Sequence, residues 1–169
     1  MNSNSVASTK NFELRAPSSM SEEEVLALID DTPFAVLSTS DAEGVPYGVP
    51  VTTLRMGRSI YFHGSRARMS RKLVNLSLKP FASLCWVGEN QIVEKNVNVR
   101  FASAVAAGPV CRIEENKEEL DRFIRFMFDR RAPSLSSEER AAYVESNPTP
   151  AVWRLDIEQL TGRFNPGDI

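Results

Sequence analysis

The turns constrain this chain most. Asp41 to Gly44 and Met56-Gly57-Arg58 are tight-turn sequences, and each is flanked by runs of strand length: Phe-Ala-Val-Leu-Ser-Thr over 34–39, a run from about Val45 to Leu54, and Ile60 to His63. Strands joined by turns this short pair antiparallel, so the three runs form a meander. Further along, Phe81 to Val87, Val97 to Ala107 and Val110 to Ile113 have strand character, and Ala151, Trp153, Leu155 and Ile157 alternate with polar neighbours in a last strand. In the fifth run Val97, Val99, Phe101 and Val105 share one face with Ser103, which predicts an apolar face with one polar handle.

Helices fall between these strands. Ser21-Glu-Glu-Glu is a capping box that opens a helix with Val25, Leu28 and Ile29 as its inward stripe, ending near Asp31. Glu115 to Arg130 carries Leu120, Phe123, Ile124 and Met127 at burial spacing, and Ser136-Ser137-Glu138-Glu139 caps a shorter helix. Six or seven antiparallel strands with inserted helices predict a mostly β, α+β domain in which the sheet closes or nearly closes into a barrel, because closure removes exposed edges. Residues 1–18, rich in Ser, Asn and Thr, read as a flexible tail before a single domain over 19–169.

One stretch has a charge pattern that needs a ligand. After the Ile60–His63 strand, Gly64 and Ser65 read as a turn and Ala67 to Leu78 as a helix, with Met69, Leu73 and Leu76 inward, Ser65 as N-cap and Pro80 past its end. Arg66, Arg68, Arg71 and Lys72 crowd its first turns with no acid among them. Cations there oppose the positive end of the helix dipole, and a bound anion relieves the repulsion. Free N–H groups together with a guanidinium suit a phosphate. The competing reading is a solvated basic face.

Composition narrows the classes. The net charge is −2 over 169 residues, so the basic cluster is local and does not indicate nucleic acid. No apolar run has membrane-spanning length and no signal-peptide core begins the chain, so a cytoplasmic location is expected. Cys85 and Cys111 lie in predicted strands without a CxxC or a nearby His, which argues against metal or redox pairing and predicts buried free thiols. With one His and no nucleophile elbow, hydrolase chemistry is poorly supported.

The motifs Leu37-Ser-Thr-Ser-Asp-Ala-Glu-Gly-Val-Pro-Tyr-Gly-Val-Pro-Val51, Ile60-Tyr-Phe-His-Gly64, Ser70-Arg-Lys72, Ser103 to Gly108 and Leu160-Thr-Gly-Arg163 together resemble the FMN-binding split barrels related to pyridoxamine 5'-phosphate oxidase, and within them the nitroimidazole-resistance (Nim-like) branch. The resemblance implies a split-barrel homodimer with FMN bound at the subunit interface, acting on a small molecule. Arg71 and Lys72 match the pair that holds the FMN phosphate, with Ser65 and Ser70 as further donors. Val51 and Thr52 fall where the second strand runs beside the flavin ring, and Phe62, His63 and Gly64 fall on the neighbouring strand. Trp86 and Ser103 match contacts made from the partner subunit.

His63 and Tyr47 are the candidates for the substrate side, since an imidazole near a flavin can donate a proton or orient a carbonyl or nitro group. The loop from His63 to Lys72 is longer than in that branch. The oxidase proper ends with a Trp and Arg residues that hold pyridoxal phosphate, whereas this chain ends Phe164-Asn-Pro-Gly-Asp-Ile169, which argues against pyridoxamine phosphate as substrate. The resemblance implies an FMN-dependent oxidoreductase for a small electron-poor substrate such as a nitroaromatic; the alternative is a flavin- or haem-binding module without turnover, or a haem-degrading barrel.

Overall fold

The computed structural model describes residues 19–64, 70–147 and 151–167. The tail expected over 1–18 lies outside them. Helix α1 (Glu22–Asp31) opens on the capping box, with Ser21 and Glu24 bonded reciprocally. Strands β1 (Phe34–Ser40), β2 (Pro46–Met56) and β3 (Ser59–Gly64) make the meander. Its turns place Gly44 at φ +87° and Gly57 at φ +62°, where a Cβ is strained and glycine is not. Then follow α2 (Arg71–Leu78), β4 (Phe81–Val93), a short 3-10 turn at Glu94–Asn96, β5 (Asn98–Arg112), α3 (Lys117–Arg131), α4 (Ser137–Ser146), β6 (Ala151–Asp156) and β7 (Gln159–Asn165).

The strands run β4-β1-β2-β3-β6-β5-β7, and β4 also pairs with β5, so six strands close a ring to which β7 is added. This is a split barrel. Two expected strands, 97–107 and 110–113, are one strand, because β5 continues through Gly108-Pro109. Its partner along one edge changes there from β7 (through Ala107) to β6 (from Val110), and Pro109 falls in the gap between the two partners. Gly108 is required at the crossing, since a Cβ on it would sit 1.8 Å from the Asp156 carbonyl oxygen. The expected last strand, 151–157, ends at Asp156, and the Leu160–Arg163 motif lies in a further strand, β7.

The face expected to be apolar on β5 points outward. Ala104, Ala106 and Val110 are buried, whereas Val99 and Val105 are exposed. The inward row is small because Leu37, Phe62, Leu84, Trp86, Trp153 and Leu155 already fill the barrel interior. The Trp86 indole donates to Thr53 Oγ1 inside that core, at 3.0 Å. A second cluster lies on the barrel's outer surface, where α3 covers β3 and β6: Tyr61, Phe123, Val152 and Ile113, with Leu120, Ile124 and Met127 around them. Cys111 is exposed and Cys85 half-buried, so the expectation of two buried thiols fails; both sit in rows that face out of the barrel.

Helix α2 starts later than expected, at Arg71 instead of Ala67, with Ser70 extended in the N-cap position and making no side-chain cap bond. The expected N-cap Ser65 and the cations Arg66 and Arg68 lie outside the described residues. Leu76 roots α2 in the interior core, and Asn75, 1% exposed, donates to Thr39 Oγ1 on β1 at 3.0 Å. The start of α2 is thereby fixed beside the turn end of the β1–β2 hairpin.

Candidate functional site

Alternation along β3 decides which residues can meet a ligand. Ile60, Phe62 and Gly64 point into the barrel, so Tyr61 and His63 point out. Helix α3 covers Tyr61 and stops short of His63, which is exposed. On β2, Val51 and Thr53 are buried and Thr52 faces out beside His63. Between these outward groups and the end of α3 is a cavity of about 120 Å³, lined by Thr52, Leu54, Tyr61, His63, Phe123, Met127 and Arg131, with Thr53 and Phe62 also at its wall. Arg131, the last residue of α3, folds back and donates to the Thr53 carbonyl at 2.8 Å.

The start of α2 meets the same strand from the other side. A Cβ placed on Gly64 would touch the Lys72 stem at 3.5 Å, so that stem lies across the end of β3. Lys72 has no carboxylate within ion-pair distance among the described residues, and burial lowers its pKa. Ser70 Oγ is buried without a hydrogen-bond partner among the described residues, and the first turn of α2 carries no acid. Arg71 differs from Lys72. Its guanidinium lies 5.0 Å over the Tyr47 ring and 3.4 Å from the Asp41 carboxylate, which also accepts from the Val45 N–H. The pKa of His63 is lowered first by the desolvation that the protein packed around its ring imposes, although the residue keeps one side open to solvent, and then by Lys72 and Arg131. Its imidazole is therefore held neutral between two cations.

The structure brings Thr52, Phe62 and His63 to one cavity, with Gly64 next in the strand, the Lys72 stem against Gly64, and Ser70 at the N-cap of the helix that carries Lys72. Val51 and Phe62 present their side chains to the core, which leaves only backbone for them to offer a ligand. Tyr47 lies under Arg71 and does not line the cavity of His63. Trp86 is 0% exposed, which leaves it no surface for a partner subunit, whereas Ser103 is half-buried on the outward row of β5. Arg131 and Asp41 were not legible as site residues. Arg131 reads as an ordinary cation suited to a helix C-terminus, and Asp41 as a turn former. Neither reading contains the fold that returns them to the site.

A second polar group lies under α3. Tyr61 donates to Glu119 Oε1 at 2.9 Å, Arg154 donates to the same oxygen at 2.7 Å and to Asp156 at 3.0 Å, and Ser59 donates to Asp156 at 2.7 Å. Burial and the Glu119 acceptor push the Tyr61 hydroxyl up to about 12. Among the described residues no cluster of His, Cys, Asp and Glu could hold a metal ion.

A family model described as pyridoxamine 5'-phosphate oxidase matches residues 21–164. The chain belongs to this family. Its split barrel is similar to that of a candidate 5-nitroimidazole antibiotic resistance protein from Bacteroides thetaiotaomicron, at 19% identity over 85% of this chain and 84% of that one, TM-score 0.68. It also resembles a conserved hypothetical protein from Mycobacterium tuberculosis (18% identity, 89% and 88% covered, TM-score 0.71). A third is an FAD- and haem-binding protein from Mycobacterium smegmatis (20% identity, 91% and 77% covered, TM-score 0.67). At these identities the likeness is one of fold. No curated protein matches the chain. No helix among the described residues is long and apolar enough to cross a membrane.

Proposed function

We propose that this family member is an FMN-dependent oxidoreductase that acts on a small electron-poor substrate such as a nitroaromatic. One observation carries the reading: the Lys72 stem lies against the end of β3 beside His63 with no carboxylate within ion-pair distance among the described residues, and the hydroxyl of Ser70, the N-cap of the same helix, is buried without a hydrogen-bond partner among them. An orphaned donor beside an unpaired cation at a helix start fits a terminal phosphate. Ser70, Lys72 and the first N–H groups of α2 would hold the phosphate, while Thr52, His63 and the backbone at Val51 and Phe62 would flank the ring. FMN, when bound, supplies the redox chemistry. Neutral His63 offers the substrate one hydrogen-bond donor and one acceptor.

Fluorescence-quenching titration tests the cofactor: FMN should bind well ahead of riboflavin, and equal affinity would remove the phosphate argument. Reduction of a nitroimidazole with a reduced nicotinamide or dithionite donor tests turnover. The second reading, a flavin- or haem-binding module without turnover or a haem-degrading protein, draws on one feature: the chain's only histidine is exposed and neutral, as an axial iron ligand must be. The absorption spectrum of the purified protein separates flavin from haem.

The partner in this proposal is a second copy. On the outward face of β1, β4 and β5, Val36, Cys85 and Val105 stand in register, and Phe34, Phe81 and Val87 extend the same face, all exposed except half-buried Cys85. An apolar sheet face of this kind calls for cover. Light scattering should report twice the 18.8 kDa chain mass, and Val105→Glu should return it to one chain.

A further inference from the structure

We infer that the cavity at the end of α3 is a carboxylate site: it takes a small, apolar, carboxylate-bearing molecule, with Arg131 as the residue that recognises the acid group. The inference rests on the proposed reading only for calling this molecule the substrate; the site itself is argued from the cavity. Most described arginines with a defined partner hold a carboxylate: Arg55 takes Asp30, Arg58 Glu22, Arg71 Asp41, Arg112 Glu114, Arg140 Asp129 and Arg154 Glu119. Arg131 has a partner of another kind. It spends one N–H on the Thr53 carbonyl, which aims the guanidinium along the sheet and into the cavity, and among the described residues it meets no acid.

Three of the four acids on its own helix are committed elsewhere, Glu119 to Tyr61 and Arg154, Asp129 to Arg140, and Asp121 to Lys117, and the fourth, Glu118, lies in the first turn, at the opposite end from Arg131. The remaining N–H groups form a fork of the shape that a carboxylate accepts in pairs. Much of the remaining lining is apolar, made by Leu54 on β2 and by Phe123 and Met127 on Arg131's own helix, and the volume of about 120 Å³ is close to that of cavities that admit a benzene ring, about 150 Å³. His63 adds hydrogen-bonding groups at the wall, and Lys72 adds positive charge close to His63, with no acid among the described residues acting on that ring. An apolar body against Leu54, Phe123 and Met127 with its carboxylate on Arg131 matches both the apolar lining and the open N–H groups of the guanidinium.

The probes are benzoate, its neutral isostere benzamide, and nitrobenzene, titrated into FMN-equilibrated protein and followed by the thermal midpoint, by intrinsic fluorescence and by the flavin absorbance. Benzoate should raise the midpoint and bind at least about tenfold better than benzamide, and Arg131→Met should lose about tenfold or more in benzoate affinity while keeping FMN. Arg131→Lys should recover part of the loss, because it restores the charge without the fork. Equal binding of benzoate and benzamide, unchanged benzoate affinity in Arg131→Met, or FMN uptake without benzoate binding would each overturn the inference, and nitrobenzene binding as tightly as benzoate would show that charge is not what is read. Benzoate binding that depends on Arg131 in a protein that takes up no FMN would sustain this site and defeat the flavin reading.

Discussion

Two polar groups lie on the outer face of β3, two residues apart along the strand, and they are built on opposite principles. Around Tyr61, Glu119 and Arg154 every charge has a partner of opposite sign, each at hydrogen-bond distance, and α3 covers the set. Around His63 the charges are Lys72 and Arg131, both positive, and no acid answers them among the described residues. A folded chain can hold the first arrangement indefinitely without a ligand, because the desolvation cost of each ion is offset in place. The second leaves its donors open. Paired charge beside unpaired charge on one strand separates what holds the fold from what awaits a ligand, and six substitutions can test that division.

The largest effect should come from the paired side. Glu119→Leu leaves the Tyr61 hydroxyl and the Arg154 guanidinium without their shared acceptor, and breaking a buried pair costs about 3 to 5 kcal/mol. Arg154 retains 28% side-chain exposure, so about 2 to 3 kcal/mol is expected, read from the urea midpoint. FMN affinity of the folded protein should not move. A variant that keeps its stability but loses FMN would invert the assignment of the two groups.

On the unpaired side the signs reverse. Lys72→Ala should weaken FMN binding by about ten- to 150-fold, the equivalent of about 1.5 to 3 kcal/mol for a charge-assisted hydrogen bond. Stability without ligand should hold or rise slightly, since a cation leaves the positive end of a helix. Arg71→Ala should cost less than Lys72→Ala. Fork geometry alone would rank Arg71 first, but its guanidinium already answers Asp41 and stacks on Tyr47, whereas Lys72 answers no carboxylate among the described residues. If Arg71→Ala is the more damaging in the same titration, Arg71 leaves Asp41 when the phosphate arrives.

How much of this was legible in the sequence follows from the range of the forces involved. The capping boxes at Ser21 and Ser136, the two hairpin turns and the inward stripe of α3 depend on neighbours within a few residues, and they stand where the pattern puts them. The barrel was legible from the number of antiparallel strands and the motifs along them. The inward face of β5 was not, because Val99, Val105 and their alternating alanines carry no mark of which row the barrel interior has room for. Nor was the pairing of charges: Asp41 lies thirty residues from Arg71 and Thr53 seventy-eight from Arg131, and only the closed fold sets those distances.

A smaller effect is expected from the pair that bridges the site to the hairpin. Asp41→Asn removes the charge beside Arg71 and keeps an acceptor for the Val45 N–H. The Arg71 side chain is 49% exposed, so the freed cation is worth at most about 1 kcal/mol, a rise in FMN affinity of up to about fivefold. A fall in affinity would mean that Asp41 serves the site by holding Arg71 in place.

The smallest effect is a titration. His63 is the only histidine, so its ring protons give one set of NMR signals, and their midpoint should lie below the ordinary value of 6.5. Between the two values the unfolded chain binds more protons than the folded one, so the stability contributed by this group is fully present above about 6.5 and is lost as pH falls through the folded midpoint. His63→Asn should flatten the thermal midpoint against pH over that window, with the carboxylates titrating lower still. Burial is the first cause of the shift, with Lys72 and then Arg131 behind it. Lys72→Ala and Arg131→Met should therefore each raise the His63 midpoint, Lys72→Ala by more, and neither should restore the ordinary value. A midpoint at or above 6.5, or one that ignores both substitutions, would mean that the two cations do not share a site with His63, and the contrast between paired and unpaired charge along β3 would lose its second half.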